Sequence, residues 1–149
     1  MSLSGVATTG SYTNQILLPA GSASGAITTI ITSSQSGSTV LIPQQTNNNN
    51  IVSLPPPQAG FYLKFVVLAT ANGANTLTIT PVTAGKIRGQ TIGVAAGLVP
   101  VAFTGKNSVI LGATAVNVIP GDWAICESDG INYYWTCFSS GTASGWTAP

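Results

Sequence analysis

The chain predicts an all-β protein, a jelly-roll-like β-sandwich of about 8–10 short antiparallel strands framed by flexible N- and C-terminal arms. Three observations predict it. Residues 75–80, Asn-Thr-Leu-Thr-Ile-Thr, alternate strictly, with Leu77 and Ile79 on one face and Thr76, Thr78 and Thr80 on the other. Short apolar runs rich in Thr, Val and Ile are separated by Gly, Pro, Asn and Ser clusters. No stretch sustains a helical period.

Taken in order, strands are expected at 15–18, 26–31, 38–42, 50–54, 61–68, 75–80, 98–103, 107–111, 122–127 and 132–138. The breakers between them include Gly21 to Gly25, the Asn47–Asn50 run, Pro55-Pro56-Pro57, Ala71-Asn72-Gly73 and Pro120-Gly121. Within 61–68 the odd positions Phe61, Leu63, Phe65 and Val67 are all apolar, whereas the even ones mix Tyr62 and Lys64 with Val66 and Leu68. That mixture suits a strand running from a solvated edge to a covered centre. Residues 1–14 and 140–149 are Ser/Thr/Gly-rich and lack a strand pattern, so a single domain over 15–139 with an N-terminal arm and a C-terminal tail is expected. No internal repeat is long enough to suggest a solenoid.

The strongest local signal is the last hairpin, Asp122 to Phe138. Asp129-Gly130 between two apolar runs asks for a type I′ turn, with positive φ at both central residues. That turn would set Ser128 opposite Ile131, Ile125 opposite Tyr134 and Trp123 opposite Thr136. Ala124, Cys126, Tyr133 and Trp135 then share the other face. Trp123, Asp129, Gly130, Tyr133 and Trp135 are therefore the expected structural residues of the hairpin. Because both faces are apolar, one should meet the core and the other a loop or a neighbouring subunit.

Composition narrows function. At 149 residues and 15.0 kDa the chain suits one domain. Charged residues are only 5% of it, against a usual share near 25%, and without a basic stripe no nucleic-acid partner is expected. Gly, Thr, Ser and Asn together supply 61 of 149 residues, so the surface is hydrated through hydroxyls and amides. A net charge of +1 gives almost no colloidal repulsion, which favours self-association. The start, MSLSGVATTGSYTNQ, has neither a basic nor an apolar signal region, and Ile92 to Phe103 is too short and too broken to span a bilayer, so neither secretion signal nor membrane partner is expected. No Asn-X-Ser/Thr sequon occurs.

Enzyme chemistry fails on inventory. The chain contains no His, hence no Ser-His or Cys-His nucleophile and no imidazole ligand. Its three carboxylates, Asp122, Glu127 and Asp129, all fall in the last hairpin. Asp122 and Glu127 are expected on opposite faces, as a strand-opening residue and a rim charge, and Asp129 in the turn. Calcium ligation is disfavoured because no Asp-X-Asp spacing appears. In the I′ register Cys137 lies four residues, about 13 Å, beyond the partner of Cys126. Free buried thiols are therefore expected rather than a disulfide, and two thiols make no zinc site. No catalytic residue, metal or cofactor is expected. Gly85-Lys86-Ile87-Arg88-Gly89 lacks Walker context. It reads as a short basic edge on which Lys86 and Arg88 share a face and could meet an acidic partner. Asn47, Asn48, Asn49 and Asn50 form a candidate contact loop for a glycan or capsid. Tyr12, Tyr62 and Trp146 could stack on sugar, though isolated aromatics are usually packing residues.

Several phrases together carry a resemblance. Ser36-Gly37-Ser38-Thr39-Val40 is followed by Val52-Ser53-Leu54-Pro55-Pro56-Pro57-Gln58-Ala59-Gly60-Phe61, then Asn75-Thr76-Leu77-Thr78-Ile79-Thr80-Pro81 and Lys86-Ile87-Arg88-Gly89. Pro120-Gly121-Asp122-Trp123 and Ser128-Asp129-Gly130-Ile131-Asn132-Tyr133 close the series. This order, over roughly residues 30–138, resembles small β-domains of virion structural proteins, including head-decoration and tail-fibre or spike modules of tailed phages and other DNA viruses. Those modules often place Trp directly after the Asn of the last hairpin. Here Tyr133 follows Asn132 and the Trp waits until 135, on the same strand face. The resemblance implies a trimer attached to a shell or fibre through a terminal arm, with residues 1–14 as the attachment candidate.

The expectation is thus a non-enzymatic virion protein on the capsid surface. It would be a decoration, cement or minor capsid subunit, homo-oligomeric with a trimer favoured, and bound to a major capsid protein or another virion protein. The alternatives are a receptor-binding head at a vertex spike or fibre tip, engaging a host glycan or receptor, and an extracellular filament or surface-layer subunit.

Overall fold

A computed structural model describes residues 14–20, 25–45, 49–70, 75–94, 97–112, 118–141 and 145–149. Twelve strands run through the described residues: β1 Gln15–Leu17, β2 Thr28–Ile30, β3 Ser38–Ile42, β4 Asn50–Leu54, β5 Ala59–Val67, β6 Leu77–Pro81, β7 Ile87–Gly93, β8 Val101–Lys106, β9 Val109–Leu111, β10 Trp123–Asp129, β11 Tyr133–Ser139 and β12 Trp146–Thr147. A 3-10 turn spans Ser33–Gln35. Among the described residues no helix is long and apolar enough to cross a membrane.

The strands form a seven-stranded sheet ordered β1-β3-β5-β10-β11-β7-β8 and a five-stranded sheet ordered β12-β9-β6-β4-β2. The all-β sandwich expected from alternation is what the chain builds. Its strands are not all antiparallel, however, and its first half is not wound as a jelly roll. From β1 to β6 the chain crosses from one sheet to the other at every strand. Its strands pair in parallel with those one circuit away: β1 with β3, β3 with β5, β2 with β4 and β4 with β6. Residues 15, 39 and 64 lie side by side, as do 28, 51 and 78. This is a short solenoid-like winding with no sequence repeat to announce it. Each circuit needs only small or branched side chains at matching levels, not identical ones.

Burial alternates as the pleat requires. In β3, β4 and β6 every second residue is buried, and β5 buries Phe61, Leu63, Phe65 and Val67. β5 is a central strand, parallel to β3 on one side and antiparallel to β10 on the other. It joins the winding to the second half. There β10, β11, β7 and β8 complete the larger sheet, while β9 and β12 complete the smaller one. Trp135, Tyr133, Phe65, Leu63, Ile79, Leu77 and Trp146 dominate the core between the sheets.

Two boundaries shift. Residues 140–149 are not all tail, because Trp146 is 1% exposed and β12 pairs with β9. A two-residue strand has no period to read, so a lone Trp in a Ser/Thr/Gly run was its only signal. Lys86-Ile87-Arg88-Gly89 is not an edge: β7 lies between β11 and β8. Of the expected N-terminal arm, residues 1–13 lie outside the described residues, and the Asn14 carbonyl accepts a hydrogen bond from Thr39 N–H at 2.8 Å.

Candidate functional site

The last hairpin shows how local chemistry sets a register. Asp129 does not sit in a two-residue I′ turn. Its Oδ1 accepts hydrogen bonds from the N–H groups of Ile131 and Asn132, each at 2.7 Å, and Ser128 Oγ accepts one from Gly130 N–H at 3.1 Å. These bonds hold a longer loop in which Gly130 takes φ 95°. Ser128 therefore pairs with Tyr133, Ile125 with Thr136 and Trp123 with Phe138. The shift from the expected register is two residues, so every side chain keeps its face. The two Asn132 and Ile131 donors, with Tyr134 Oη donating to Oδ2 at 2.9 Å, lower the Asp129 carboxyl to about 2.

The inner face of this hairpin is structural. Trp135 stacks on Phe65 with ring centroids 5.4 Å apart, and Tyr133 meets Phe61 edge-on at 5.8 Å. Tyr133 Oη donates to the Pro55 carbonyl at 2.8 Å. Burial raises the Tyr133 hydroxyl above its usual range, helped by Cys126. Cys126 pairs with Trp135 and Cys137 with Ala124, so the cysteines are diagonal neighbours rather than four residues apart. Both are free and buried. Burial drives Cys126 well above its ordinary value, with Cys137 and Glu127 adding to the effect, and burial pushes Cys137 up to about 12. Neither thiol is a nucleophile at neutral pH.

Asp122 has a role the sequence did not reveal. It is 0% exposed. Its Oδ1 accepts from Ser140 N–H and Ser140 Oγ, both at 2.7 Å, and its Oδ2 accepts from Ile119 N–H at 3.1 Å and Ser139 Oγ at 3.0 Å. It opens β10 as expected, and its carboxylate also braces that strand's start against Ser139, Ser140 and Ile119. Glu127 is exposed, and among the described residues no group of three or more His, Cys, Asp or Glu could hold a metal.

The asparagine run is also partly internal. Asn50 is 2% exposed. Its Oδ1 accepts from Ile27 N–H, 23 residues back, at 2.8 Å, and its Nδ2 donates to Gln45 Oε1 at 2.5 Å. Asn49 Oδ1 accepts from Thr76 N–H, 27 residues on, at 2.8 Å. The pair ties successive circuits of the winding together, with Asn50 internal and Asn49 exposed. Asn47 and Asn48 lie outside the described residues. So does Tyr12; Trp146 is in the core and Tyr62 is half-buried on the far side of the larger sheet, so the aromatics do not form one sugar platform.

What the strands do bring together is the outer face of the seven-stranded sheet. Pairing places Leu17, Leu41, Val66, Trp123, Phe138 and Ile92 side by side across β1, β3, β5, β10, β11 and β7. The row is about 24 Å long at the usual strand spacing. Leu17 is 66% exposed, the other five are half-buried, and Leu68 at the end of β5 adds another exposed apolar side chain. Trp123 and Phe138 stack at 5.8 Å in the middle.

Two residues along each strand the face turns mostly polar, through Gln15, Thr39, Lys64, Thr136 and Gln90, with Ile125 and Ala102 among them. Beyond it come Tyr62, Glu127, Tyr134, Arg88 and Thr104, with Arg88 Nη1 donating to Thr104 Oγ1 at 3.0 Å. Lys86, half-buried, immediately precedes β7. Lys64, Arg88, Glu127 and Asp129 thus put two cations and two anions on one face, out of four Lys+Arg and three Asp+Glu in the chain.

Local alternation signalled Val66, Leu68 and Trp123. Leu17, Leu41 and Ile92 join them only through parallel pairing, which has no local signature. Compared with known proteins, the chain matches no family model, no curated protein and no solved structure.

Proposed function

We propose that the protein is a non-enzymatic structural subunit of a virion, a decoration or cement protein that assembles into a small homo-oligomer, a trimer, and stabilises a capsid by its contacts. The observation that carries the reading is the apolar row from Leu17 to Ile92, on a face that also holds most of the exposed charge in balanced pairs. Apolar rows exposed on one side of a sheet mark surfaces that become covered. A row flanked by both signs of charge is complementary to a surface of mixed charge, which gives register more than affinity. The resemblance of the motif order to virion β-modules suggests the setting.

The low overall charge fits a subunit that spends its life bound. Standard interfaces bury about 1,600 Å² in total, and many copies of a small domain at such contacts would reinforce a shell strongly.

The experiment is to locate the protein on purified particles by immunogold electron microscopy, comparing the wild-type chain with Leu17→Lys. Leu17 is exposed enough for the substitution to leave the fold intact. Regular labelling over capsid faces, lost in Leu17→Lys while its circular dichroism is unchanged, is the expected result. Particles without the protein, from cells that contain it, would overturn the proposal.

A further inference from the structure

The outer face of the seven-stranded sheet is matched to a copy of itself. In the row Tyr62, Glu127, Tyr134, Arg88 and Thr104, β11 stands midway between Glu127 on β10 and Arg88 on β7. Both charged side chains are exposed. A two-fold axis laid along β11, in the plane between two facing copies, exchanges β10 with β7. Each Glu127 then lies over the other copy's Arg88, and the contact is made twice. Facing sheets pack about 10 Å apart with their strands nearly aligned, a gap that an extended glutamate and an extended arginine close together.

The same axis serves the apolar row. It sets Phe138 on Phe138 and Trp123 over Ile92. The stacked Trp123–Phe138 pair then forms the middle of the contact, where aromatic anchors contribute most to an interface. The remaining charges raise no conflict. Lys64 on β5 faces Ala102 on β8. Asp129 ends β10 and so lies on the side of the axis that faces the Arg88 strand.

Size agrees with charge. The strands β5, β10, β11, β7 and β8, of six to nine residues each, overlap their own images about this axis. At the usual spacing and rise they present about 500 Å² per copy. A pair therefore covers about 1,000 Å² in total, the lower bound of a specific interface. A net charge of +1 leaves little long-range repulsion between copies.

We propose that a second copy of this chain covers this part of the face through an isologous two-fold contact, fastened by reciprocal Glu127–Arg88 ion pairs. This rests on the reading of a self-assembling subunit and names which surface meets which. A complementary partner must carry a cation over Glu127 and an anion over Arg88 on aligned strands, and the row itself supplies both. β1 and β3 have no image in the overlap, so Leu17 and Leu41 stay free to meet a shell. Combined with a three-fold contact elsewhere, the pairing joins two trimers face to face in a closed dihedral assembly; alone it makes a dimer.

The test is sedimentation velocity on full-length chains. The wild type is expected as a dimer or as paired trimers. Glu127→Arg and Arg88→Glu, both at exposed positions, set like charges opposite each other twice. Each is expected to halve the mass with unchanged circular dichroism. An equimolar mixture of the two variants restores opposite charges at both contacts, as does the double variant in one chain, and both are expected to recover the wild-type mass. A wild-type oligomer whose mass neither single variant changes would overturn the two-fold contact while leaving self-assembly standing. A monomeric wild type would sink both. Single variants that lose half the mass and regain it neither in the mixture nor in the double variant would also overturn the inference.

Discussion

β1 to β6 pair with one another only in parallel, each with a strand a full circuit of chain away, whereas β10 and β11 are antiparallel and joined by residues 130–132. The hairpin buries its inner face along its whole length, whereas in the winding β3, β4 and β6 do so and the first two strands bury no residue fully. The two regions use different material. The winding uses strands of three to five residues before β5, built mainly from Thr, Ser, Val, Leu and Ile, and closes its circuits with amide side chains. The hairpin uses seven-residue strands with stacked aromatics. Non-local pairing rewards the chain only after long loops have closed. The winding therefore depends on the hairpin and β5 to give it a surface to pack on.

Trp135→Ala attacks that dependence most directly. Removing a fully buried indole that stacks on Phe65 of β5 is expected to cost about 3–5 kcal/mol. Urea unfolding followed by far-ultraviolet circular dichroism should show one transition at a lower midpoint. Two separated transitions would break the comparison, because the winding would then stand without the hairpin.

Gly89→Ala probes the same joint from β7. Gly89 pairs with Trp135, takes φ 148°, and a Cβ there would lie 2.0 Å from the Trp135 carbonyl oxygen. Neither backbone can yield without loosening the β7–β11 ladder, so a loss of about 2–4 kcal/mol is expected. Gly105→Ala is the control: its φ is 67° but nothing lies within 4 Å of the added carbon, so strain alone should cost about 1–2 kcal/mol. Equal losses in the two variants would mean that the close approach to Trp135 contributes nothing.

A third pair compares one buried polar clamp from each region. Asn50→Ala strips Ile27 N–H and Gln45 Oε1 of their partner, and Tyr133→Phe strips the Pro55 carbonyl of its donor. Orphaning such groups costs about 1–3 kcal/mol each. Asn50→Ala, which orphans two, is expected to be the larger loss. The reverse order in thermal unfolding would show that the circuits are held by packing alone.

These contrasts explain what the sequence made legible. Alternation belongs to a strand by itself, so β3 and β4 were readable at their observed bounds, and Leu77 and Ile79 were assignable to the core. The partner of a parallel strand is set by residues a circuit away, and nothing in 38–42 says that 15–17 and 63–67 flank it. The outer apolar row is invisible for the same reason, since Leu17, Leu41 and Ile92 are ordinary residues until pairing aligns them. The hairpin was readable in its faces but not its register. Asp-Gly marks a turn, while the length of that turn depends on which N–H groups the carboxylate captures. Asp122 was hidden because its donors, Ser139 and Ser140, meet it across the strand pair.

The smallest expected effect concerns that same carboxylate. Folding lowers Asp129 from 3.8 to about 2 because its charged form accepts hydrogen bonds from Asn132, Ile131 and Tyr134. A lowered acid pKa stabilises the fold at pH values above the unfolded value, and the contribution disappears as pH falls through the folded one. The loss should therefore run from about pH 4 down to about pH 2. Asp129→Asn keeps an acceptor oxygen but removes the charge, so its melting temperature should lie slightly below that of the wild type at neutral pH. The two curves should converge by about pH 2, where the wild-type carboxylate is itself becoming neutral. Curves that stay parallel across this window would show that the loop is held by its backbone alone, and that the two-residue shift in register has another origin than the Asp129 charge.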